Sequence, residues 1–308
     1  MGETIIMDFT VIEGIARKYH CEILYDEPMH KYNTMKVGGN AEALIKPCGI
    51  SCLSEVIAKC NEQGINYHII GKGSNIIVSD KGISGLIIVI GEDFSRIELV
   101  DENIIECEAG ASLSKVCSFA YKNSLTGLEF AWGIPGSVGG AVYMNAGAYD
   151  GEMSEVVLSC EQIDLDGNVS TIGKEDMDFS YRHSRFTDTK AVVAVVRIGL
   201  RKGDKTAIKA RMDELLMRRK TRQPLEYPSS GSTFKRPKGS YASLLIEQCG
   251  LKGTSVGGAE VSEKHSGFII NKNDASCEDI KNLIAIVKEK VNSQTGYILD
   301  CEMQILED

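Results

Sequence analysis

The chain has 308 residues, of which 43% are hydrophobic and 25% charged, and its formal net charge is −9. That length suits two or three domains, and the composition is that of a globular protein. The acidic balance argues against nucleic acid as a partner, since phosphate binding needs a basic surface, and no apolar run approaches the roughly 18 residues of a membrane span. The start, Met1-Gly2-Glu3-Thr4, has no basic region ahead of an apolar stretch and does not read as a signal peptide. Ile6 stands where a myristoylation signal carries Ser or Thr. The expectation is a cytoplasmic protein without a membrane anchor or an obligate protein partner.

In chain order, the apolar spacing of Phe9, Val11, Ile12, Ile15 and Ala16 predicts a short amphipathic helix over 9–19. Short β-rich runs follow at 43–45, 67–70, 75–78 and 86–90, with a helix over 51–63 closed by Gly64. Strand, helix, strand in that order suggests a βαβ unit. Residues 95–110 read as a hairpin turned at Asp101-Glu102-Asn103, and 112–124 as a helix. Residues 156–165 and 168–172 form a second hairpin, turned at Asp166-Gly167, and 191–200 is a nearly continuous apolar strand. A charged helix over 206–222 is stopped by Pro224. Beyond it lie helices at 241–249 and 276–293 and strands near 257–261, 267–270 and 298–306.

Ten cysteines are scattered along the chain, with Cys48, Cys52 and Cys60 as the one local grouping. There is no CxxC and no histidine placed to complete a zinc knuckle, so reduced, mostly buried thiols and no metal are expected.

The glycines carry more information. Gly133, Gly136, Gly139 and Gly140 put four glycines within eight residues, a density that a regular element does not tolerate. Pro135-Gly136-Ser137 can open a helix, with Ser137 as cap and Val138 to Asn145 as its first turns, so that its N-terminal N–H groups face an anion. An upstream loop, Gly71-Lys72-Gly73-Ser74-Asn75, continues into a strand-like run rather than a helix, which does not support an ordinary dinucleotide fingerprint. Two such loops suggest a large phosphate-bearing cofactor held by backbone donors.

Six motifs then occur in order: Asn33-Thr34-x-x-x-Gly38-Gly39, Gly71-x-Gly73-Ser74-Asn75, Gly133-Ile134-Pro135-Gly136-Ser137-Val138-Gly139-Gly140, Asn145-Ala146-Gly147-Ala148-Tyr149, Tyr181-Arg182-x-Ser184 and Gly231-Ser232-x-Phe234. In these the chain, from about residue 30 to its end, resembles the UDP-N-acetylenolpyruvoylglucosamine reductases of bacterial peptidoglycan synthesis. The helix over 9–19 sets off a helical segment over 1–30, and a shift in composition puts a domain boundary near 205; the resemblance implies an α+β protein with a two-lobed FAD-binding domain of the vanillyl-alcohol-oxidase (PCMH) type over 31–205 (lobes about 31–96 and 97–205) and a smaller α/β substrate-binding domain over 206–308. It implies noncovalent FAD, held by residues 71–75 (Lys72 included), 135–140, Asn145 and Ala146. NADPH would be the hydride donor and UDP-N-acetylglucosamine enolpyruvate the substrate.

The same resemblance assigns Ser232 as the proton donor, Arg182 as the cation that grips the substrate carboxylate while an enolate forms, and Glu302 as a carboxylate that polarises or protonates it. Read without it, Ser232 is a turn serine, Arg182 a surface arginine and Glu302 a solvent-facing strand carboxylate, on the face opposite Cys301, Met303 and Ile305. Tyr149, Lys235 and, on the basic helix, Arg222 are the expected contacts to the nucleotide sugar. The short spacing from Arg182 to Ser232 matches the branch of the family without a tyrosine-bearing loop. Two alternatives stay open: another noncovalent FAD oxidoreductase of the same superfamily, and a non-catalytic nucleotide-sugar or flavin-binding module.

Overall fold

The structure, a computed structural model, describes residues 8–308; the readings of Met1, Gly2 and Ile6 lie outside the described residues. In chain order the main elements are α1 (Thr10–Tyr19), β1 (Glu22–Pro28), β2 (Asn40–Lys46), α2 (Ile50–Gln63), β3 (Tyr67–Ile70), β4 (Ile76–Val78), β5 (Ile83–Val89), β6 (Ile97–Asp101), β7 (Ile104–Glu108), α3 (Leu113–Lys122) and α4 (Val138–Tyr143). Then come β8 (Val157–Ile163), β9 (Val169–Gly173), β10 (Val192–Gly199), α5 (Lys205–Arg222), α6 (Ala242–Gln248), β11 (Ala259–Val261), β12 (Ile269–Asn271), α7 (Cys277–Thr295) and β13 (Gln304–Leu306).

Local chemistry explains several of these boundaries. α2 buries Cys52, Leu53, Val56, Ile57 and Cys60 on one stripe, and Gly64, at φ 68°, closes it in the left-handed conformation that favours glycine. α7 opens on a reciprocal capping box between Ser276 and Asp279 and ends at Gly296, φ 74°. Asp80 adds a second cap, its two carboxylate oxygens accepting from the amides of Cys277 and Glu278 at 2.8 and 2.9 Å.

The chain divides into two compact units, both discontinuous in sequence. The first comprises residues up to 26 with 42–72 and 84–216; the second comprises 27–41, 73–83 and 217–308. The passage between them falls within α5 at 216/217, some residues beyond the boundary near 205 that composition suggests.

The first unit carries a four-stranded sheet ordered β1-β2-β5-β3, with β3 and β5 parallel. The predicted strand–helix–strand unit is therefore present as β2, α2 and β3, but β5 lies between its two strands. A five-stranded antiparallel sheet, ordered β9-β8-β10-β7-β6, contains both expected hairpins. Its central strand β10 buries Val192 to Val196 and Ile198, which is why the sequence reads there as an unbroken apolar run.

The second unit has its own core of Met35, Val37, Ile77, Phe234, Ile246, Ile269, Leu283, Val287 and Met303, among others. Here one expected strand finds a distant partner and another expectation is corrected. The run 75–78 does not join the β2-β5-β3 sheet; β4 instead pairs in parallel with β13, Ile77 against Ile305. The single strand expected over 298–306 is broken: Cys301 makes an isolated bridge to Phe234, and only Gln304–Leu306 continues as β13. β1 was not foreseen, because its exposure follows no alternation that a sequence pattern would register.

Candidate active site

Within the first unit Gly71, which opens the upstream loop, meets the downstream glycine loop. A Cβ on Gly71 would lie 2.2 Å from Ser137 Oγ, so a side chain there would push the capping hydroxyl out of place. Ser137 caps α4 as expected, its hydroxyl accepting from Gly140 N at 3.4 Å. The expected row of free N–H groups at this helix start is corrected. Val138 N donates to Ala111 O and Gly139 N to Ala109 O, both at 2.8 Å, and Ala141 N donates to Ser137 O at 2.9 Å. Gly136 is likewise engaged, its carbonyl accepting from Leu113 N at 3.1 Å, while Pro135 is exposed. Ala146 N closes back onto Ala141 O at 2.8 Å.

The glycines of this loop differ in purpose. Gly139 is a packing glycine, since its Cβ would sit 2.7 Å from Ala109 Cβ. Gly140 is exposed, and a Cβ there would meet only Ser137 Oγ, at 3.4 Å. Its bare backbone has no explanation in the protein's own packing and fits the close approach of a flat ligand. In the upstream loop, the amides of Lys72, Gly73 and Ser74 find no protein acceptor among the described residues. Successive open backbone donors suit a phosphate, and they lie in this loop rather than at the start of α4. Gly73, at φ 59°, is required by its surroundings, because a Cβ there would lie 1.9 Å from Tyr32 O. Both features fit FAD.

Still in the first unit, Arg182 sits at the tip of a tight turn in which Ser180 and His183 exchange backbone hydrogen bonds at 3.1 and 3.2 Å. Its φ is 55°, a conformation that L-residues with side chains avoid. Arg182 Nη2 donates to Gly147 O at 3.1 Å, and its guanidinium lies 5.1 Å from the Tyr181 ring. Fully buried Asn145, itself at φ 41°, ties the same two segments together: its side-chain amide donates to Ser180 O at 3.0 Å, and its Oδ1 accepts from Ser154 N at 2.9 Å. Ser184 Oγ donates to Tyr143 O at 2.7 Å. Tyr149 and Asp150 turn a small hairpin in which Gly147 and Ala148 pair with Glu152 and Gly151. Both tip residues have positive φ, 53° and 67°, a sign of the type I′ turn that Asn-Gly would make comfortably. The left-handed backbone at Asn145, Tyr149 and Arg182 makes them candidates for function, a property they share with other positive-φ residues of the chain. A sequence pattern does not display it.

In the second unit, Ser232 follows Gly231, which takes φ 74° with nothing within 4 Å of its would-be Cβ. Glycine is needed here for conformation, not for space. Ser232 is exposed while Thr233 and Phe234 are buried. The loop is sewn to the C-terminal segment: Glu302 N donates to Thr233 O and Lys235 N to Asp300 O, both at 2.8 Å. Thr233 Oγ1 accepts from Ile269 N at 3.0 Å. Asn75, expected only as a cofactor contact, joins this assembly. Its side chain donates to Glu302 O at 3.1 Å and its carbonyl accepts from Gln304 N at 2.9 Å. Thr34 Oγ1 donates to Ser229 O at 2.7 Å and Ser230 Oγ to Ile76 O at 3.2 Å. Ser232, Lys235, Glu302 and Asn75 are therefore brought together. Half-buried Glu302 is not the plain solvent-facing strand residue that alternation implies. Arg222, the last residue of α5, is exposed, and no hydrogen bond links it to this group.

Comparison with known proteins follows the same division. Residues 41–173 match the model of an FAD-binding domain family. Residues 223–306 match that of the UDP-N-acetylenolpyruvoylglucosamine reductase C-terminal domain. A protein of Clostridium novyi (strain NT) named UDP-N-acetylenolpyruvoylglucosamine reductase is 49% identical over 280 residues, 90% of each chain. One of the same name from Streptococcus pneumoniae (strain 70585) is 45% identical over 296 residues, 96% of each. The crystal structure of UDP-N-acetylenolpyruvylglucosamine reductase from Thermus caldophilus superposes with a TM-score of 0.79 at 32% identity, covering 93% of this chain and 99% of that one. The chain belongs to the UDP-N-acetylenolpyruvoylglucosamine reductase family, FAD-dependent oxidoreductases of peptidoglycan synthesis, and has their α+β fold with an FAD-binding domain of the PCMH type.

Proposed function

We propose that this member of the family reduces UDP-N-acetylglucosamine enolpyruvate to UDP-N-acetylmuramate in the cytoplasm, with NADPH as the source of electrons. FAD, where bound, would supply the hydride chemistry, with residues 71–75, 135–140, Asn145 and Ala146 as its holders. The chain's own residues bind, hold charge and deliver a proton. Arg182 grips the substrate carboxylate with its guanidinium, and so stabilises the enolate as charge moves onto that group. Ser232 hands its hydroxyl proton to the carbon that bears the enolate charge. Glu302 polarises the same centre, and Lys235 lies two residues along the buried backbone pairing that fixes the loop. Tyr149 and Arg222 contact the nucleotide sugar. In this reading residues 31–205 and 206–308 carry the cofactor-binding and substrate-binding roles.

The observation that carries the proposal is the hydrogen-bonded stitching of the Ser232 loop to Glu302 and Asn75. It gathers a proton donor, a carboxylate and a cofactor-loop residue that lie far apart in sequence. The alternative of a non-catalytic binding module gives no reason for that gathering. The test is to photoreduce the purified flavoprotein without oxygen and add UDP-N-acetylglucosamine enolpyruvate. Rapid return of the oxidised flavin spectrum with formation of UDP-N-acetylmuramate is expected. A flavin that stays reduced with this substrate would sink the proposal.

A further inference from the structure

Three cysteines with no place in the reaction converge at one point of the first unit. Cys21 follows the end of α1, Cys48 precedes the Gly49 cap of α2, and Cys52 lies in the first turn of α2. The Sγ of Cys21 lies 3.4 Å from that of Cys48 and 3.2 Å from that of Cys52, and all three sulfurs fall within 4.8 Å of one another. The sequence grouping is thus rearranged: distant Cys21 takes the place of Cys60, which stands two turns further along α2.

We propose that Cys21, Cys48 and Cys52 bind a thiophilic divalent ion of the zinc class through three thiolates. Zinc–sulfur bonds of about 2.3 Å in a tetrahedral site put sulfurs about 3.8 Å apart. The observed separations need only a small spreading to reach that value, whereas a disulfide would bring one pair to about 2.05 Å and strand the third thiol. Soft thiolates select ions of this class over magnesium or calcium. Cys52 is buried, Cys21 half-buried and Cys48 exposed, so the ion would be anchored on the inner side and keep its fourth position open to water on the Cys48 side. A cleft of about 490 Å³, lined by Glu13, Ala16, Arg17, His20, Cys21 and Ile23, provides an approach.

The cluster also has a defined backbone setting. The Cys21 and Cys48 thiols both point at Tyr19 O, at 3.8 and 3.2 Å, a carbonyl at the negative end of α1. Two of the ligands sit at the positive end of α2, which favours thiolate. An ion here would clamp the end of α1 to the start of α2.

The test uses the full-length flavoprotein, reduced and stripped with a chelator, without oxygen. Titration with Cd²⁺ should give one equivalent of tight binding with an ultraviolet sulfur-to-cadmium charge-transfer band, and Zn²⁺ should displace it. Zn²⁺ should also shield Cys21, Cys48 and Cys52 from alkylation, read peptide by peptide, and raise the melting temperature. Cys48→Ser, at the exposed position and so least disruptive to folding, should weaken binding by more than the 10–100-fold lost with outer-shell partners. Cys21→Ser should do the same, and Cys249→Ser should change nothing. Substoichiometric Cd²⁺ binding, or binding unchanged in Cys48→Ser, would overturn the proposal. So would a metal-free protein in which two of the three cysteines have already joined as a disulfide.

Discussion

The Arg182 turn and the Ser232 loop hold the side chains proposed to act in the reaction by opposite means. In the first unit the residues proposed to act take the strained conformation themselves: Arg182 at φ 55° and Tyr149 at φ 53° occupy turn tips. In the second unit the strain is passed to a neighbour. Gly231 takes φ 74°, and Ser232 follows at the mouth of a buried backbone pairing. A tip residue projects furthest from the scaffold, which suits a long cation that must reach a carboxylate. A residue one step past a glycine stays close to the scaffold, which suits a short hydroxyl that must be placed to within a fraction of an ångström. Arg182 needs several ties to Ser180, His183 and Gly147 to hold its turn, whereas Ser232 borrows its position from Thr233 and Glu302.

The largest effect expected from breaking this contrast is on the proton. Ser232→Ala should leave reduction of the flavin by NADPH nearly intact and slow its reoxidation by the enolpyruvyl substrate about 10²–10⁴-fold, the usual worth of general-acid catalysis. Arg182→Ala and Glu302→Gln should slow the same half-reaction. Stopped-flow absorbance of the flavin band separates the two halves. Equal slowing of both by Ser232→Ala would give this serine a structural role and dissolve the contrast.

Next in size are the glycines. Gly140→Val should fold yet hold little FAD, because its Cβ enters open space where the cofactor is expected. Gly139→Val should instead damage folding by about 1–3 kcal/mol, through overpacking against Ala109. Full flavin occupancy in Gly140→Val would show that the loop's open face serves something else. A smaller difference tests the strain directly. Arg182→Gly and Arg182→Ala should lose the same activity, but the glycine variant should be the more stable by about 1 kcal/mol, since only alanine keeps the cost of positive φ. Denaturant unfolding measures it, and equal stability would mean that the turn stores no strain.

Much of the scaffold was legible because its signals are local. Gly64 and the capping box at Ser276 mark helix ends, and the Asp164–Asn168 turn and the apolar run of β10 mark the five-stranded sheet. What was hidden depends on partners distant in sequence. Nothing near residues 75–78 says that their strand pairs with 304–306. Nothing near Ser137 says that the amides after it are consumed by Ala109 and Ala111. The candidate site residues were named through a family resemblance that six ordered motifs carry, with Arg222, Lys235 and Glu302 lying outside those motifs. Their setting was not legible: the left-handed backbone at Arg182 and Tyr149 and the bracing of Glu302 by Asn75 arise from tertiary hydrogen bonds.

The smallest prediction concerns two histidines that flank the compared regions and titrate in opposite directions. His183, next to Arg182, bonds Asp188 Oδ2 through Nε2 at 3.0 Å, and that carboxylate holds its pKa above the ordinary value. The stabilisation is complete below the unfolded value of about 6.5 and is lost as pH rises through the higher folded value. Because the pair is largely solvent-exposed, it is worth at most about 1 kcal/mol. His265 is different: burial pushes its pKa down, and its neutral Nδ1 accepts from Gly267 N at 3.2 Å while its ring meets Phe268 edge-on. Gly267 O in turn accepts from Thr233 N at 2.9 Å. This contribution is complete above about 6.5 and is lost as pH falls through the depressed folded value. Amide exchange, corrected for its intrinsic pH dependence, should show the Arg182 turn loosening towards alkaline pH and the Ser232 loop towards acid. His183→Gln should abolish the first trend and leave the second. If both segments loosened in the same direction, the two histidines would not be the groups that set the pH response of these turns.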